Sequence, residues 1–263
     1  MYDLSGVNAV ITGTSSGFGY SMSRALLHNG ATVAMTARPG EKLKNAVAAL
    51  RAEGLEKVCE LPMDVHNEVS VAEAVSWVER EWGRVDLLVN NAGLGKSRVF
   101  PDPDVELPFY EIEPEAFRDV VETNFIGYFL VARGFAPLMV RQGKGRIVNV
   151  STSIGTMSAK GQIPYGPSRA AAEAFSNILT KELEESGIMV NVLLPGGAAL
   201  TGLMPESQRE EYLKGNYTRP LLPAEILDDA ILFLASPLAE GMTGERIIGK
   251  EFGEWLTEKG LSI

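Results

Sequence analysis

The 263-residue chain is poor in the side chains that form disulfides and metal sites, since it has one cysteine, Cys59, and two histidines, His28 and His66. A single cysteine excludes an internal disulfide and is typical of a reducing compartment, so we expect a cytoplasmic location. Two histidines do not form a zinc site of the usual type. No apolar run reaches the roughly 18 residues that span a bilayer. Residues 1–4 lack the basic and apolar regions of a signal peptide, so none is expected.

Positive charge is also scarce. The chain has 24 Lys and Arg against 34 Asp and Glu, a formal net charge of -10 and a pI near 4.9. Nucleic acid and anionic membranes both require a basic face, so neither is expected as a partner. Hydrophobic residues make up 45% and charged residues 22%, which is typical of a globular protein. A chain of this length can bury a large core in one α/β domain.

Short apolar runs rich in β-branched residues alternate with longer helical patterns. The predicted strands are 7–12, 32–36, 58–61, 85–89, 146–150, 189–194 and 246–248. The predicted helices are 18–29, 41–53, 69–82, 114–140, 165–185 and 224–235. Most strands are apolar on both faces, as strands covered by helices above and below must be. The alternation predicts a single doubly wound α/β domain over residues 1–263, with a mainly parallel seven-stranded sheet.

Ligands of such sheets bind at the carboxyl ends of the strands, so the loops leaving those ends are expected to select the substrate. Two irregular stretches qualify, at about 94–114 and 196–223, together with the shorter segment 154–164. Their cations and aromatic side chains are candidates for contacting a substrate, or else ordinary surface charges and loop packing. The cations are Arg98, Lys160, Arg209 and Arg219. The aromatic residues are Phe100, Phe109, Tyr110, Tyr212 and Tyr217.

A glycine-rich turn follows the first predicted strand and opens the first helix. It runs Thr12-Gly13-Thr14-Ser15-Ser16-Gly17-Phe18-Gly19. Glycines permit a tight turn and let backbone N–H groups approach a pyrophosphate, and the helix N-terminus favours the negative charge. The predicted cofactor-binding residues here are Gly13, Ser15, Ser16, Gly17, Phe18 and Gly19. The alternative is an ordinary strand-to-helix turn in which Ser15 and Ser16 only cap the helix.

The end of the second strand bears on the choice of dinucleotide. It runs Met35-Thr36-Ala37-Arg38 and has no carboxylate at its tip. An acidic residue there binds the ribose 2′-hydroxyl of NAD, whereas an arginine pairs with the 2′-phosphate of NADP. Arg38 therefore favours NADP(H), with NAD(H) as the alternative if this arginine is only a solvated surface residue.

Taken in order along nearly the whole chain, these motifs resemble those of the short-chain dehydrogenases/reductases, which have a Rossmann-type fold. The matching segments are Thr12 to Gly19, Asp64-Val65, Asn90-Asn91-Ala92-Gly93, Asn124, Asn149-Val150-Ser151-Thr152-Ser153, Tyr165 with Arg169, and Pro195-Gly196. Within the family the chain looks most like the gluconate 5-dehydrogenase-like and 3-oxoacyl-carrier-protein reductase-like members.

The resemblance implies a role for each matching position. Asp64 and Val65 would contact the adenine, and Pro195 and Gly196 would lie beside the nicotinamide. The cofactor groove after the fourth strand would be lined by Asn91, Ala92 and Gly93. Asn124 would hold a water molecule in a proton relay, and Tyr165 would be the general acid or base. The family also implies a homodimer or homotetramer built on the long helices.

Two positions depart from the family pattern, and the first is Arg169, where the family has lysine. A tyrosine has a reference pKa of about 10, and lowering it to roughly 7 requires about 4 kcal/mol. Arg169 lies four residues after Tyr165 on the same helix face, so its charge is expected to set the acidity of Tyr165 and its N–H groups to bind the ribose. An arginine does not readily release a proton, so we expect reduced or pH-shifted activity.

The second departure concerns the catalytic serine, which in the family lies thirteen residues before the tyrosine. That position is Thr152 here, and threonine keeps the hydroxyl that would bind the substrate oxygen. Neighbouring strand residues point to opposite faces, but this alternation can fail past the end of a strand. Thr152 is therefore the preferred candidate and Ser153 the second.

The sequence thus predicts an NADP(H)-dependent oxidoreductase that interconverts a ketone and a secondary alcohol of small size, with Tyr165 as general acid and base. The alternative is a dinucleotide-binding sensor or scaffold with weak or no catalysis, because the family lysine is replaced by Arg169.

Overall fold

The computed structural model describes residues 2–100, 107–204, 206–216 and 220–261. Seven strands form the sheet: β1 (Asn8–Thr12), β2 (Thr32–Thr36), β3 (Val58–Glu60), β4 (Leu87–Asn90), β5 (Gly145–Val150), β6 (Ile188–Leu194) and β7 (Arg246–Ile248). The helices of the first half are α1 (Gly17–His28), α2 (Glu41–Ala52), α3 (Glu68–Trp82), α4 (Pro114–Val121) and α5 (Gly127–Gln142). Those of the second half are α6 (Ile154–Met157), α7 (Tyr165–Glu182), α8 (Glu206–Leu213), α9 (Asp228–Ala235) and α10 (Phe252–Glu258).

The sheet has the strand order β3-β2-β1-β4-β5-β6-β7, and every pairing is parallel. The predicted doubly wound α/β fold with seven strands is therefore confirmed. Residues 188–194 are buried along their whole length, as expected for a strand covered on both faces. One apolar cluster packs α1, α2, α9 and α10 on one face of the sheet, and a second packs α3, α5 and α7 on the other.

The order of the strands reverses between β1 and β4, which are neighbours in the sheet although β2 and β3 lie between them in the sequence. The chain after β1 moves outward in one direction, and the chain after β4 moves outward in the other. In sheets of this kind the two diverging loops leave a crevice at the carboxyl ends of the strands, where ligands bind. The glycine-rich turn follows β1, and Asn91 to Gly93 follow β4.

The long helix predicted over 114–140 is interrupted. Residues Glu122–Ile126 form a π-helical turn between α4 and α5, and Asn124 lies in its middle. Such a turn admits one extra residue and re-aims the side chains beside it, which is why π-turns are frequent at functional sites. The hydrophobic pattern could not predict this interruption, because both α4 and α5 bury an apolar face, α4 against the loop after β4 and α5 against the sheet.

The continuous helical stretch Pro114–Gln142 is also the one segment among the described residues that is long and apolar enough to span a membrane. However, 56% of its apolar window is buried inside the protein. The stretch therefore serves as a core helix that covers the sheet.

Candidate active site

The glycine-rich turn and the segment after β4 touch each other across the crevice. A Cβ atom on Gly13 would lie 2.7 Å from the Cα of Ala92, and Gly13 has φ +70°. A Cβ atom on Gly19 would overlap the carbonyl oxygen of Gly13. Glycine is thus required at both positions, because one adopts a left-handed backbone and the other lies against the backbone of the turn. The turn is thus as tight as a dinucleotide-binding turn requires.

Asn91 fastens the two loops together. Its side-chain amide donates to the carbonyl oxygens of Thr12 (2.8 Å) and Gly13 (3.2 Å). The Thr12 hydroxyl in turn accepts from the backbone N–H groups of Asn91 and Ala92, both at 2.9 Å. Asn91 therefore lies in the predicted groove, but its amide binds the protein's own backbone. The sequence signal could not distinguish these two roles.

The N-terminus of α1 has free hydrogen-bonding capacity for an anion. Ser16 is the N-cap residue, yet its side chain makes no capping hydrogen bond, and the first turn contains no acidic residue. A helix start of this kind attracts phosphate through its unpaired N–H groups and its dipole. Phe18, by contrast, packs its side chain against the core cluster, so only its backbone faces the turn.

The loop after β6 lies directly over this helix start. A Cβ atom on Gly17 would be 3.1 Å from the Cβ of Thr201, and one on Gly202 would be 2.7 Å from the Ser16 hydroxyl. Thr201 is a candidate binding residue that the sequence analysis missed, because 184 positions in the chain separate it from Gly17 of the turn. Pro195 and Gly196 begin this loop, where Pro195 is buried and its carbonyl accepts from Lys250 N–H at 3.2 Å.

The groups predicted to bind the adenosine half lie at the ends of β2 and β3. Arg38 is exposed and has no hydrogen-bond or ion-pair partner among the described residues, so its guanidinium is available for a phosphate. The Asp64 carboxylate accepts from the N–H of His66 at 3.1 Å, and Val65 packs against Gly127. Together with the glycine turn, these groups fit an adenine dinucleotide.

Tyr165 is the first residue of α7, and Arg169 follows it one helical turn later. The guanidinium carbon of Arg169 lies 5.5 Å from the centre of the Tyr165 ring, and the arginine is buried. Burial opposes its charged form, but the phenol oxygens of Tyr128 and Tyr165 outweigh this effect and raise the pKa of Arg169. The site therefore contains a permanent cation beside a half-buried tyrosine.

Tyr128 on α5 holds this cation in place. One terminal nitrogen of Arg169, Nη1, donates to the Tyr128 hydroxyl at 2.6 Å and to the Val150 carbonyl at 3.0 Å. The Tyr128 hydroxyl donates to the same carbonyl at 3.0 Å, and burial raises the pKa of this phenol. The other terminal nitrogen, Nη2, occupies the space that a Cβ on Gly93 would need. The buried Nε has no partner among the described residues.

Asn124 binds protein groups on three sides. Its side-chain oxygen accepts from Leu94 N–H at 2.8 Å, and its amide nitrogen donates to the Leu94 carbonyl at 3.0 Å and to the Ser168 hydroxyl at 3.1 Å. The π-turn thus ties the end of the β4 loop to α7. Ser168 is a second residue that the sequence analysis did not single out.

The two candidate hydroxyls after β5 differ in their surroundings. The Ser153 hydroxyl pairs with the Thr156 hydroxyl at 2.8 Å and accepts from Thr156 N–H at 3.3 Å, so it caps α6. The Thr152 hydroxyl has no hydrogen-bond partner among the described residues. This difference favours Thr152, because its hydroxyl is free to bind a substrate oxygen.

The backbone of Thr152 is also held in place by a hydrogen bond. Arg246 on β7 donates to its carbonyl oxygen at 2.9 Å and pairs with Glu173 of α7 at 3.0 Å. Of the candidate cations, Arg98 is paired with Asp119. Tyr217 and Arg219 lie outside the described residues.

Comparison with known proteins agrees with these features. The family model for short chain dehydrogenases matches residues 7–212. The 3-oxoacyl-[acyl-carrier-protein] reductase FabG of Salmonella typhimurium is 30% identical over 241 residues, which cover 91% of this chain and 93% of that enzyme. The gluconate 5-dehydrogenase of Gluconobacter oxydans is 30% identical over 196 residues, covering 74% and 73%.

A solved structure shows the same fold with a nucleotide bound. The gluconate 5-dehydrogenase from Burkholderia cenocepacia in complex with NADP and tartrate superposes with a TM-score of 0.78 at 26% identity, covering 95% of this chain and 96% of that one. The resemblance seen in the sequence motifs is confirmed by the match over 7–212 and by these relatives. This chain belongs to the short-chain dehydrogenases/reductases, a family of NAD(P)-dependent oxidoreductases.

Proposed function

We propose that the protein interconverts a ketone and a secondary alcohol with NADP(H), using Tyr165 as the general acid and base. The observation that supports this most directly is the buried Arg169 guanidinium, 5.5 Å from the centre of the Tyr165 ring. A fixed cation beside a tyrosine stabilises the phenolate that remains after proton transfer.

In the direction of reduction, the ketone is the substrate and the secondary alcohol is the product. When bound, the nicotinamide supplies a hydride to the carbonyl carbon. The electron pair of the broken C=O π bond moves to the oxygen, which accepts the proton of the Tyr165 hydroxyl. The Thr152 hydroxyl donates a hydrogen bond to that oxygen, and Arg169 remains charged throughout, so it orients groups and does not relay protons.

Binding of the cofactor is assigned to the two loops of the crevice. The N–H groups at the start of α1 would hold the pyrophosphate, and the Arg169 guanidinium would donate to the ribose next to the nicotinamide. Arg38 would pair with the 2′-phosphate, which favours NADP(H) over NAD(H). NADP is also the cofactor named in the Burkholderia cenocepacia structure. Residues 1–263 act as one domain, in which loops 94–114 and 196–223 select the substrate.

The test is NADPH oxidation measured with a panel of ketones and repeated with NADH. We expect turnover with at least one ketone, a lower KM for NADPH than for NADH, and a loss of about a hundredfold or more in kcat for Tyr165→Phe. Binding of NADPH by Tyr165→Phe, followed by fluorescence, should be retained. Nucleotide binding without turnover of any ketone by the unaltered protein would contradict the proposal.

We further propose a homodimer or homotetramer located in the cytoplasm. Large apolar side chains remain exposed on α4, α5 and α7, which is the surface that a second copy would cover. Cys59 is unpaired, as is usual for a protein of a reducing compartment.

A further inference from the structure

A cavity of about 460 Å³ lies between the loop after β4 and the loop that precedes α7. Both loops leave the carboxyl ends of neighbouring strands, where substrates of doubly wound sheets bind. The size is within the range of sites that enclose drug-sized molecules. Its described lining residues are Phe100, Leu107, Pro108, Phe109, Ile112, Ala159, Lys160, Gly161 and Ile163.

The walls of this cavity come from segments that also carry or contact the proposed catalytic groups. Ile163 lies two residues before Tyr165. Phe100 and Ile112 pack in one cluster with Leu94, whose backbone is bound by the Asn124 side chain. Leu94 in turn follows Gly93, against which Arg169 Nη2 is placed. A molecule whose carbonyl lies at Tyr165 would therefore extend its remaining atoms toward the cavity.

The lining has a distinct chemistry. Every described side chain in it is apolar except that of Lys160, whose ammonium group has no hydrogen-bond or ion-pair partner among the described residues. Phe109 is 71% exposed and Leu107 38% exposed, so large apolar surfaces face the solvent in the absence of a ligand. Covering such surfaces is favourable, whereas a buried hydroxyl without a partner is costly. A polyhydroxy substrate would therefore be a poor match.

We infer that the substrate is a ketone, or the corresponding secondary alcohol, with an aromatic or aliphatic hydrophobic group and a carboxylate that pairs with Lys160. This inference rests on the proposed function, because it places the substrate carbonyl at Tyr165. It differs from that function by naming the two groups that the substrate must carry besides its carbonyl. A sugar acid supplies only one of the two groups, since it has the carboxylate but no hydrophobic group.

Four ketones separate these requirements in an NADPH oxidation assay. The ketone 4-oxo-4-phenylbutanoate has both groups, its methyl ester lacks the charge, 5-ketogluconate lacks the hydrophobic group, and butanone lacks both. We expect the highest kcat/KM for 4-oxo-4-phenylbutanoate, about tenfold or more above that for 5-ketogluconate. A higher kcat/KM for 5-ketogluconate or for butanone would overturn the inference.

Two variants test the cavity itself. Lys160→Met should raise KM for the acid about threefold to fivefold relative to the ester, as expected for an exposed ion pair. Phe109→Ala should raise KM about tenfold for both aromatic ketones relative to butanone. Phe109 is largely exposed, so this variant should fold. Lys144→Met removes an exposed lysine at the opposite end of β5 and should change none of these values. Unchanged selectivity in both cavity variants would overturn the inference.

Failure of the proposed function gives a different result. If no ketone is reduced at all, the proposed reaction is wrong. Calorimetric titration of 4-oxo-4-phenylbutanoate in the presence of NADPH then tests independently whether the cavity binds this compound. Binding that is weakened by Lys160→Met and Phe109→Ala but not by Lys144→Met supports the site. Absent binding, or equal binding by all four proteins, contradicts it.

Discussion

Arg169 differs from a lysine in two respects that matter for catalysis. Its charge is fixed, because the neighbouring phenol oxygens of Tyr128 and Tyr165 raise its pKa further above an already high value. Its planar group is also larger, and here two hydrogen bonds from Nη1 hold it, to Tyr128 and to the Val150 carbonyl. Tyr128 is therefore the residue that allows an arginine at this position to keep a defined orientation over Tyr165.

This arrangement predicts coupling between the two residues. Tyr128→Phe removes a hydrogen bond to a buried charge and should lower kcat/KM about tenfold or more in the protein with Arg169. Arg169→Lys alone should be faster than the unaltered protein at one or more pH values, because lysine can release a proton. In the Arg169→Lys background, Tyr128→Phe should have a much smaller effect on kcat/KM and on the pH profile.

The unaltered protein, the two single variants and the double variant form a double-mutant cycle, which measures the coupling between Tyr128 and Arg169. An equal loss on Tyr128→Phe in both backgrounds would mean that Tyr128 serves only the packing of α5. If Arg169→Lys is no faster at any pH, the view of this arginine as a handicap is wrong. Thermal unfolding of each variant separates either result from a general loss of stability.

At the scale of single elements, the sequence predicts local features well and contacts between distant segments poorly. The seven strands are visible because each is a short apolar run, and Tyr165 and Arg169 are visible because helix geometry relates them directly. The roles of Tyr128 and Thr201 are not visible in the sequence. The contact of Tyr128 with Arg169 depends on how α5 packs, and that of Thr201 with Gly17 depends on where the loop after β6 lies. The π-turn at Asn124 was missed for the same reason, since its side chain bonds Leu94, which lies thirty residues away.

The contact between α1 and α9 provides a test at this scale. Asp228 at the start of α9 accepts a hydrogen bond from Ser21 of α1 at 2.8 Å, and its other side-chain oxygen is buried without a partner among the described residues. Burial, with the nearby charges of Glu225 and Asp229, raises the pKa of Asp228 to about 7, although Ser21 and Arg24 act in the opposite direction. The unfolded chain releases this proton near pH 4.

Stability should therefore fall as the pH rises from about 4 to about 7, because the folded state retains a proton that the unfolded state has already lost. Asp228→Asn cannot ionise. Its free energy of unfolding relative to the unaltered protein should rise by about 1–2 kcal/mol between pH 4.5 and pH 7.5, measured by urea denaturation. Ser21→Ala removes the hydrogen bond that lowers the pKa of Asp228, so the loss of stability should continue to higher pH in this variant. Parallel pH profiles for the unaltered protein and Asp228→Asn would contradict this account.

At the scale of the whole molecule, the distribution of exposed apolar residues is uneven. Phe117, Ile126 and Phe129 on the stretch from α4 to α5 are exposed, as is Ile178 on α7. Phe129 and Phe125 both contact Phe175 of α7 edge-on, so these side chains form one surface across the two helices. A patch of this kind on an otherwise acidic protein is typical of a surface that another protein copy covers.

This surface leads to a prediction about assembly. Ile178 is 55% exposed, so Ile178→Glu should leave the fold intact while placing an unpaired carboxylate in the interface of each copy, which costs several kcal/mol when buried. We expect the unaltered protein to be a dimer or tetramer by light scattering at micromolar concentration, and Ile178→Glu to have the mass of a smaller assembly or a monomer. Val69→Glu is the matched control, because Val69 is 66% exposed on α3, a helix that carries none of the residues named for this surface, and its substitution should leave the mass unchanged. If the unaltered protein is a monomer, there is no such interface. If Val69→Glu dissociates the assembly and Ile178→Glu does not, the interface lies elsewhere.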